Sequence, residues 1–284
     1  MIKYFKIIFT VFIVAVLLFS SCDKIKAPYA LARHGNITDT VIDWDTVVPV
    51  KRVLLEDYTG HTCQNCPAAA VIAHNQDALY HGKLVVLAVH AGYYAEPGAG
   101  EFAIDFRTTA GEQWNTDFKI AAYPSGMINR ALFNNHQVIG SPDWVTDIAS
   151  IINGTPDMNM ILINDYDTTS RTVNSQIYSQ FRHSMTGSYT ITVGVMEDNI
   201  ISAQDSSNVV IHNYNFKDVF RGAVNGTYGE ILTSVVDPNL TYLGKFSIPI
   251  NTTWVANNCW VIAFVSNSAT KEVIQVIKQR VTTQ

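Results

Sequence analysis

Lys51 to Gly60 alternates weakly but contains Val53, Leu54, Leu55 and Tyr58, and Lys83 to Ala91 is apolar almost without interruption, a pattern that predicts central strands covered on both faces. Between them, the alanine-rich stretch Ala68 to Leu79 places Val71, Ile72, Ala78 and Leu79 on one side of a helix. Strand, helix and strand in that order imply a right-handed crossover and a parallel pair. Further on, Trp114 and Phe118 stand four apart in a second predicted helix, Thr108 to Phe118, and Ala121 to Asn129 reads as a turn feeding a short strand at Met127 and Ile128. Trp144, Val145, Ile148, Ile151 and Ile152 predict a third helix, with Ser141 as its cap, Pro142 at its first position and Gly154 at its end.

After Gly154 and Pro156 the texture changes to short alternating or β-branched runs: Met158 to Ile163, Tyr189 to Met196, Thr241 to Ile250 and Trp260 to Val265. Turn signals at Asp198-Asn199, Asn225-Gly226 and Asp237-Pro238 separate them, which favours an antiparallel sandwich. No nucleophile, base and orienting residue converge there, so binding or positioning is the role expected of this half.

The N-terminus runs from Lys3 and Lys6 through the apolar stretch Ile7 to Phe19 to Ser20, Ser21 and Cys22, the order of a secretion signal. The stretch is shorter than the roughly 20 apolar residues that span a bilayer. Its end resembles the lipobox of bacterial lipoproteins, a resemblance that implies a lipidated Cys22 at the mature N-terminus; two or more acyl chains would anchor it stably to the membrane. The chain then divides into a signal peptide over 1–21, a lipidated N-terminus, linker and lead-in over 22–50, a first domain over 51–154 and a β-sandwich domain over 155–284. Within the lead-in, Val41, Ile42, Val47 and Val48 suggest at most one edge strand.

Composition narrows the function classes. At 48% hydrophobic and 15% charged residues the chain is globular, and disorder is excluded. A net charge of −5 without a basic cluster argues against nucleic acid as a partner. Four cysteines do not make a disulfide-rich scaffold, but a location outside the cytoplasm lets a disulfide persist.

Chemistry concentrates at Cys63-Gln64-Asn65-Cys66-Pro67, between the first strand and the first helix. Two thiols at this spacing can form a disulfide within one turn. The thiolate is the attacking species in exchange, and a helix N-terminus favours it, so Cys63 would attack and Cys66 resolve the mixed disulfide. Pro67 qualifies this, since a helix beginning at Cys63 would set the proline ring against the Cys63 carbonyl. Either the first turn is distorted or the helix starts near Pro67. His61 supplies a positive charge if protonated, or is a solvated loop residue. Structural zinc needs a second pair of ligands at similar spacing; none is present, and only His61 and His90 could be recruited, so neither metal nor cofactor is expected. Cys259, among Trp260, Val261 and Ile262, reads as a small buried hydrophobe. A structural disulfide is the bland account of the pair.

Strand, CxxC, helix, strand, helix and then an apolar-Pro-small turn resembles the thioredoxin fold over roughly residues 50–153. The resemblance implies that Pro124 is cis and lies against the active-site disulfide. It also implies that Asp57 is a buried carboxylate that helps move the proton of the second cysteine. Asp57 as an exposed strand-end residue is the alternative, with adjacent Glu56 leaving the face open. Gln64 and Asn65 stand where that family usually has Gly-Pro. Longer runs, Val53 through Pro67, Val195 to Ile200, Phe220-Arg221-Gly222, Ala263-Phe264-Val265 and Val273-Ile274-Gln275, are similar to the outer membrane protein 28-related lipoproteins of Bacteroidetes. That similarity implies an α/β thioredoxin-like domain followed by an all-β immunoglobulin-like sandwich domain, on an outer-membrane lipoprotein facing the periplasm or the surface. Two functions follow as expectations. One is thiol-disulfide exchange with the thiols or disulfides of envelope proteins. The other is a non-catalytic surface binding or adhesin role in which the CxxC is a structural disulfide.

Overall fold

The computed structural model of the chain describes residues 42–282, so Cys22, the signal segment and Val41 lie outside it. β1 (Val53–Thr59) and β2 (Leu84–His90) are buried along their whole length and pair in parallel, from Val53 with Leu84 to Thr59 with His90. α1 (Cys66–Tyr80) makes the crossover between them. Pro67 sits in its first turn, where a missing N–H costs nothing, and the helix stops at His81 in the left-handed conformation, φ 47°. α2 (Thr109–Asp117) follows, with Thr108 Oγ1 accepting the Gly111 N–H at 3.0 Å as its cap. β3 (Ser125–Ile128) lies antiparallel to β1, β4 (Ile139–Gly140) lies outside β3, and α3 (Trp144–Ile151) closes the first half.

One local expectation needs correction. Ser141 does not cap α3: Ser141 to Asp143 form a 3-10 turn of their own ahead of Trp144, and Pro142 rather than a side-chain cap starts it. The lead-in forms no edge strand among its described residues. It holds a 3-10 turn over Trp44–Thr46, nucleated by Asp43 Oδ1 accepting the Asp45 N–H.

The second half is almost entirely β: β5 (Met158–Asp167), β6 (Thr172–Phe181), β7 (Tyr189–Glu197), β8 (Ile200–Ser206), β9 (Val209–Phe216), β10 (Val219–Ala223), β11 (Glu230–Thr233), β12 (Tyr242–Pro249), β13 (Cys259–Asn267) and β14 (Val273–Arg280). β12, β6 and β5 form an antiparallel sheet of three. Its apolar face, with Met158, Leu162, Ile177, Phe181 and Ile248, packs on alternate residues of β7 and β13 such as Val193, Val195, Val261 and Ala263. β8 and β9 make a separate two-stranded hairpin.

The main sheet crosses from one half of the chain to the other. Its order is β14-β13-β7-β10-β2-β1-β3-β4, with β11 also on β7. The expected boundary between residues 154 and 155 falls on the link from α3 to β5, and the sheet spans it. Its join is narrow: Val219 pairs with Ala88, and the Ala88 N–H donates to the Asp218 carbonyl at 2.8 Å. Behind that join the core is continuous, for Leu54, Tyr58, Leu87 and Trp114 share one cluster with Phe220, Ile262, Phe264 and Val276. On the opposite face of β1 and β2, α1 and α3 cover Val53, Leu55, Leu84 and Val86.

Candidate functional site

The CxxC segment leaves the buried end of β1 through Gly60, where a Cβ would collide with the carbonyl of Tyr94. The same carbonyl accepts the Thr62 N–H at 3.1 Å and the Thr62 hydroxyl at 2.9 Å. Cys63 and Cys66 are joined as a disulfide, Cα to Cα 5.4 Å, and each residue is only 2% exposed, whereas Gln64 and Asn65 between them face solvent. The helix begins at Cys66, so Cys63 lies in the turn before it, not at the helix N-terminus. Pro67 is the reason, and the helix end acts on Cys66 more directly than on Cys63.

Asp57 alternates with Val53 and Leu55 and points to the α1 side of the sheet, where it is 3% exposed and its Oδ1 has no hydrogen-bond partner. It lines, with Cys66, His74, His90, Gln204 and Tyr214, a cavity of about 30 Å³, room for about one water. Burial pushes its carboxyl up to about 7. Glu56, on the opposite face, is also buried but fully paired, accepting from Arg130 Nε at 2.8 Å and Nη2 at 2.7 Å beneath the rings of Trp114 and Phe118. Both neighbours are therefore inside because β1 is covered on both faces. Only Asp57 is left facing the cysteines' side.

His61 corrects an expectation. It is not a solvated loop residue: it is 1% exposed, its Nε2 lies 3.1 Å from the Glu96 carbonyl, and its ring packs against Phe102 and Phe106. Burial holds its pKa below the ordinary histidine value, so it brings no cation to Cys63 at neutral pH. His90 is pushed down to about 3, by burial first and then by His61, and its ring packs tilted against Phe106 and edge-on to Phe216. Among the described residues no group of three His, Cys, Asp or Glu is arranged to hold a metal ion. Cys259 is free and fully buried, with its thiol pushed up to about 12 by burial.

The Tyr123-Pro124 peptide bond is cis. Tyr94 links it to the CxxC loop: the Tyr94 ring lies 5.8 Å from that of Tyr123, and its carbonyl holds Thr62. Cys22 lies outside the described residues.

Sequence reasoning missed the cover of the site. The β8–β9 hairpin lies on the CxxC loop, with the Asp205 N–H donating to the His61 carbonyl at 2.8 Å and the Ser207 N–H to the Gln64 carbonyl at 3.1 Å. Gln204 Nε2 donates to the carbonyls of Cys63 at 3.1 Å, Gly60 at 3.3 Å and its own neighbour Asp205 at 2.8 Å. The Ser207-Asn208 pair, with φ 49° and 67°, was the available signal, a polar two-residue turn of the tight hairpin type. At its base, His74 on α1 stands 3.5 Å from the buried Asp218, which Lys278 neutralises at 3.1 Å.

The family model described as outer membrane protein Omp28 matches residues 111–284. Among solved structures, HBP35 of Porphyromonas gingivalis superposes with a TM-score of 0.58 at 15% identity, covering 84% of this chain and 79% of its own. A protein from Agrobacterium tumefaciens gives 0.50 at 11% identity, covering 84% and 98%. A domain of the outer membrane lipoprotein Omp28 from Porphyromonas gingivalis gives 0.32 at 22%, covering 46% and 93%. No curated protein sequence matches the chain.

Proposed function

This chain belongs to the outer membrane protein Omp28 family, lipoproteins of the outer membrane, and on that footing we propose that it exchanges thiols and disulfides with proteins of the cell envelope. In this reading its first half is thioredoxin-like, its second half is immunoglobulin-like, and a lipidated Cys22 holds it to the membrane. The observation that carries the reading is Asp57. An unpartnered carboxyl buried beside Cys66 is costly, and a disulfide that only stapled a loop would not need it.

With its pKa at about 7, Asp57 can give or take a proton at neutral pH. In the oxidising direction a partner thiolate attacks Cys63 Sγ, the Cys63–Cys66 bond breaks, and the departing Cys66 sulfur takes the electron pair and the Asp57 proton. A second partner thiolate then attacks the partner's sulfur in the mixed disulfide, which releases Cys63 as thiolate and leaves the partner oxidised. In reverse, ionised Asp57 removes the Cys66 proton, and the Cys66 thiolate resolves the mixed disulfide.

A second reading has a specific observation in its favour. Both cysteines are 2% exposed beneath the hairpin, as a locked disulfide in a binding scaffold would be. A Cys66→Ser variant separates the two. Exchange predicts that Cys63 accumulates mixed disulfides with envelope proteins, visible as reductant-sensitive adducts on gels; no adducts would favour the locked bridge.

A further inference from the structure

We propose that the β8–β9 hairpin is an internal occupant of the site's partner-binding edge, and that the partner is an extended polypeptide segment bearing a thiol or a disulfide. This rests on the exchange reading and says how the buried disulfide is reached. The two main-chain donors, Asp205 and Ser207, are two residues apart, the spacing at which an extended strand presents N–H groups along one edge. They meet two carbonyls, of His61 and Gln64, that flank Cys63. Any extended segment offers the same pair of donors, the logic by which a sheet edge captures a strand.

The hairpin is suited to leave. It shares no ladder with either larger sheet, and a lone two-stranded hairpin is marginal in water. Its outer side chains are unpacked, with Ile201, Val209 and Ile211 all exposed, and the His212–Glu101 ion pair that ties it to the 3-10 turn at Gly100–Phe102 is exposed too. Its base is fixed by Phe216, whose ring sits 5.0 Å from Phe106. The tip is held mainly by the Gln204 amide and two N–H donors, so it can lift while the base stays. Once it has lifted, a partner thiolate reaches Cys63 Sγ and breaks the Cys63–Cys66 bond, with Cys66 leaving as thiol after protonation.

The test follows reduction of the disulfide in the oxidised full-length lipoprotein by a synthetic extended peptide dithiol. Gln204→Ala, and separately Asp205→Pro, which deletes the N–H donated to His61, should each accelerate reduction about tenfold, as loss of one or two hydrogen bonds from a closed lid implies. The same peptide N-methylated at the two donor positions should lose most of its rate on every variant. Equal rates for wild type and both variants, or no penalty for N-methylation, would overturn the proposal. The equilibrium reduction potential tests the exchange reading separately: a locked bridge would show there, while the rate ratios still report on the cover.

Discussion

Asp57 and Arg130 carry opposite lessons about burying charge. Asp57 has no partner at Oδ1, so folding raises its pKa from 3.8 to about 7, and ionising it in the folded chain costs on the order of 4 kcal/mol more than in the unfolded one. Between those values the folded state holds a proton that the unfolded state has lost, so this residue's contribution to stability falls as pH rises from about 4 to 7 and stays low above. Asp57→Asn should therefore stabilise the fold at pH 8 by a few kcal/mol and much less at pH 4, read from urea unfolding at both values, while slowing disulfide exchange severalfold at pH 7. His90, held at about 3, acts in the opposite sense: its buried neutral ring withdraws stability as pH falls from 6.5 towards 3. Arg130, by contrast, is doubly bonded to Glu56 with both side chains fully buried. Removing one partner, as in Glu56→Gln, leaves a guanidinium uncompensated and should cost about 3 to 5 kcal/mol in the same assay. The sequence left Glu56 and Asp57 on opposite faces with neither assigned to solvent. Cover on both faces was expected; what the sequence could not contain was what supplies it, α1 and α3 on one face and α2 with strands from the far half of the chain on the other.

At the scale of elements, β1, α1 and β2 were legible because each answers to a local rule: the apolar cluster Val53, Leu54, Leu55 and Tyr58 for β1, a nearly unbroken apolar run for β2, and alanine with proline in the first turn for the helix. The cap at Ser141 was misplaced for an equally local reason, since Pro142 supports a separate tight turn before α3 as readily as it supports the helix itself. The hairpin was not legible. β8 and β9 are half-exposed, with apolar residues such as Ile201, Val209 and Ile211 facing outward, and what fixes them is a loop some 140 residues earlier, reached by Gln204. Phe216 anchors that hairpin among Phe106, His90 and Tyr214. Phe216→Ala should lower stability by about 3 kcal/mol in urea titrations and raise amide exchange at Asp205 and Ser207. Unchanged protection at those two amides would mean that the base does not hold the tip.

Across the whole molecule, the halves share a core as well as a sheet. Trp114 of α2 stacks on Phe220 of β10 at 5.0 Å and meets Phe264 of β13 edge-on at 6.2 Å. Unfolding should then be one transition, with calorimetric and van't Hoff enthalpies in agreement, and residues 42–154 expressed alone should lack a cooperative melt. Two separate transitions would show that the shared cluster is weaker than its burial suggests. Sequence texture did mark the change from α/β to β at Gly154, because strand alternation and turn residues are local. The pairing of Val219 with Ala88 is not local, and nothing in either segment announces it. The same long-range closure brings Gln204, Tyr214 and Phe216 to the cysteines and makes the site a property of the full chain. Whether the Cys63–Cys66 pair turns over is decided by its reduction potential in the full-length lipoprotein at pH 7, equilibrated against glutathione. A value between about −270 and −120 mV, the span of proteins that exchange disulfides, is expected; one below about −300 mV would contradict turnover and mark a structural bridge.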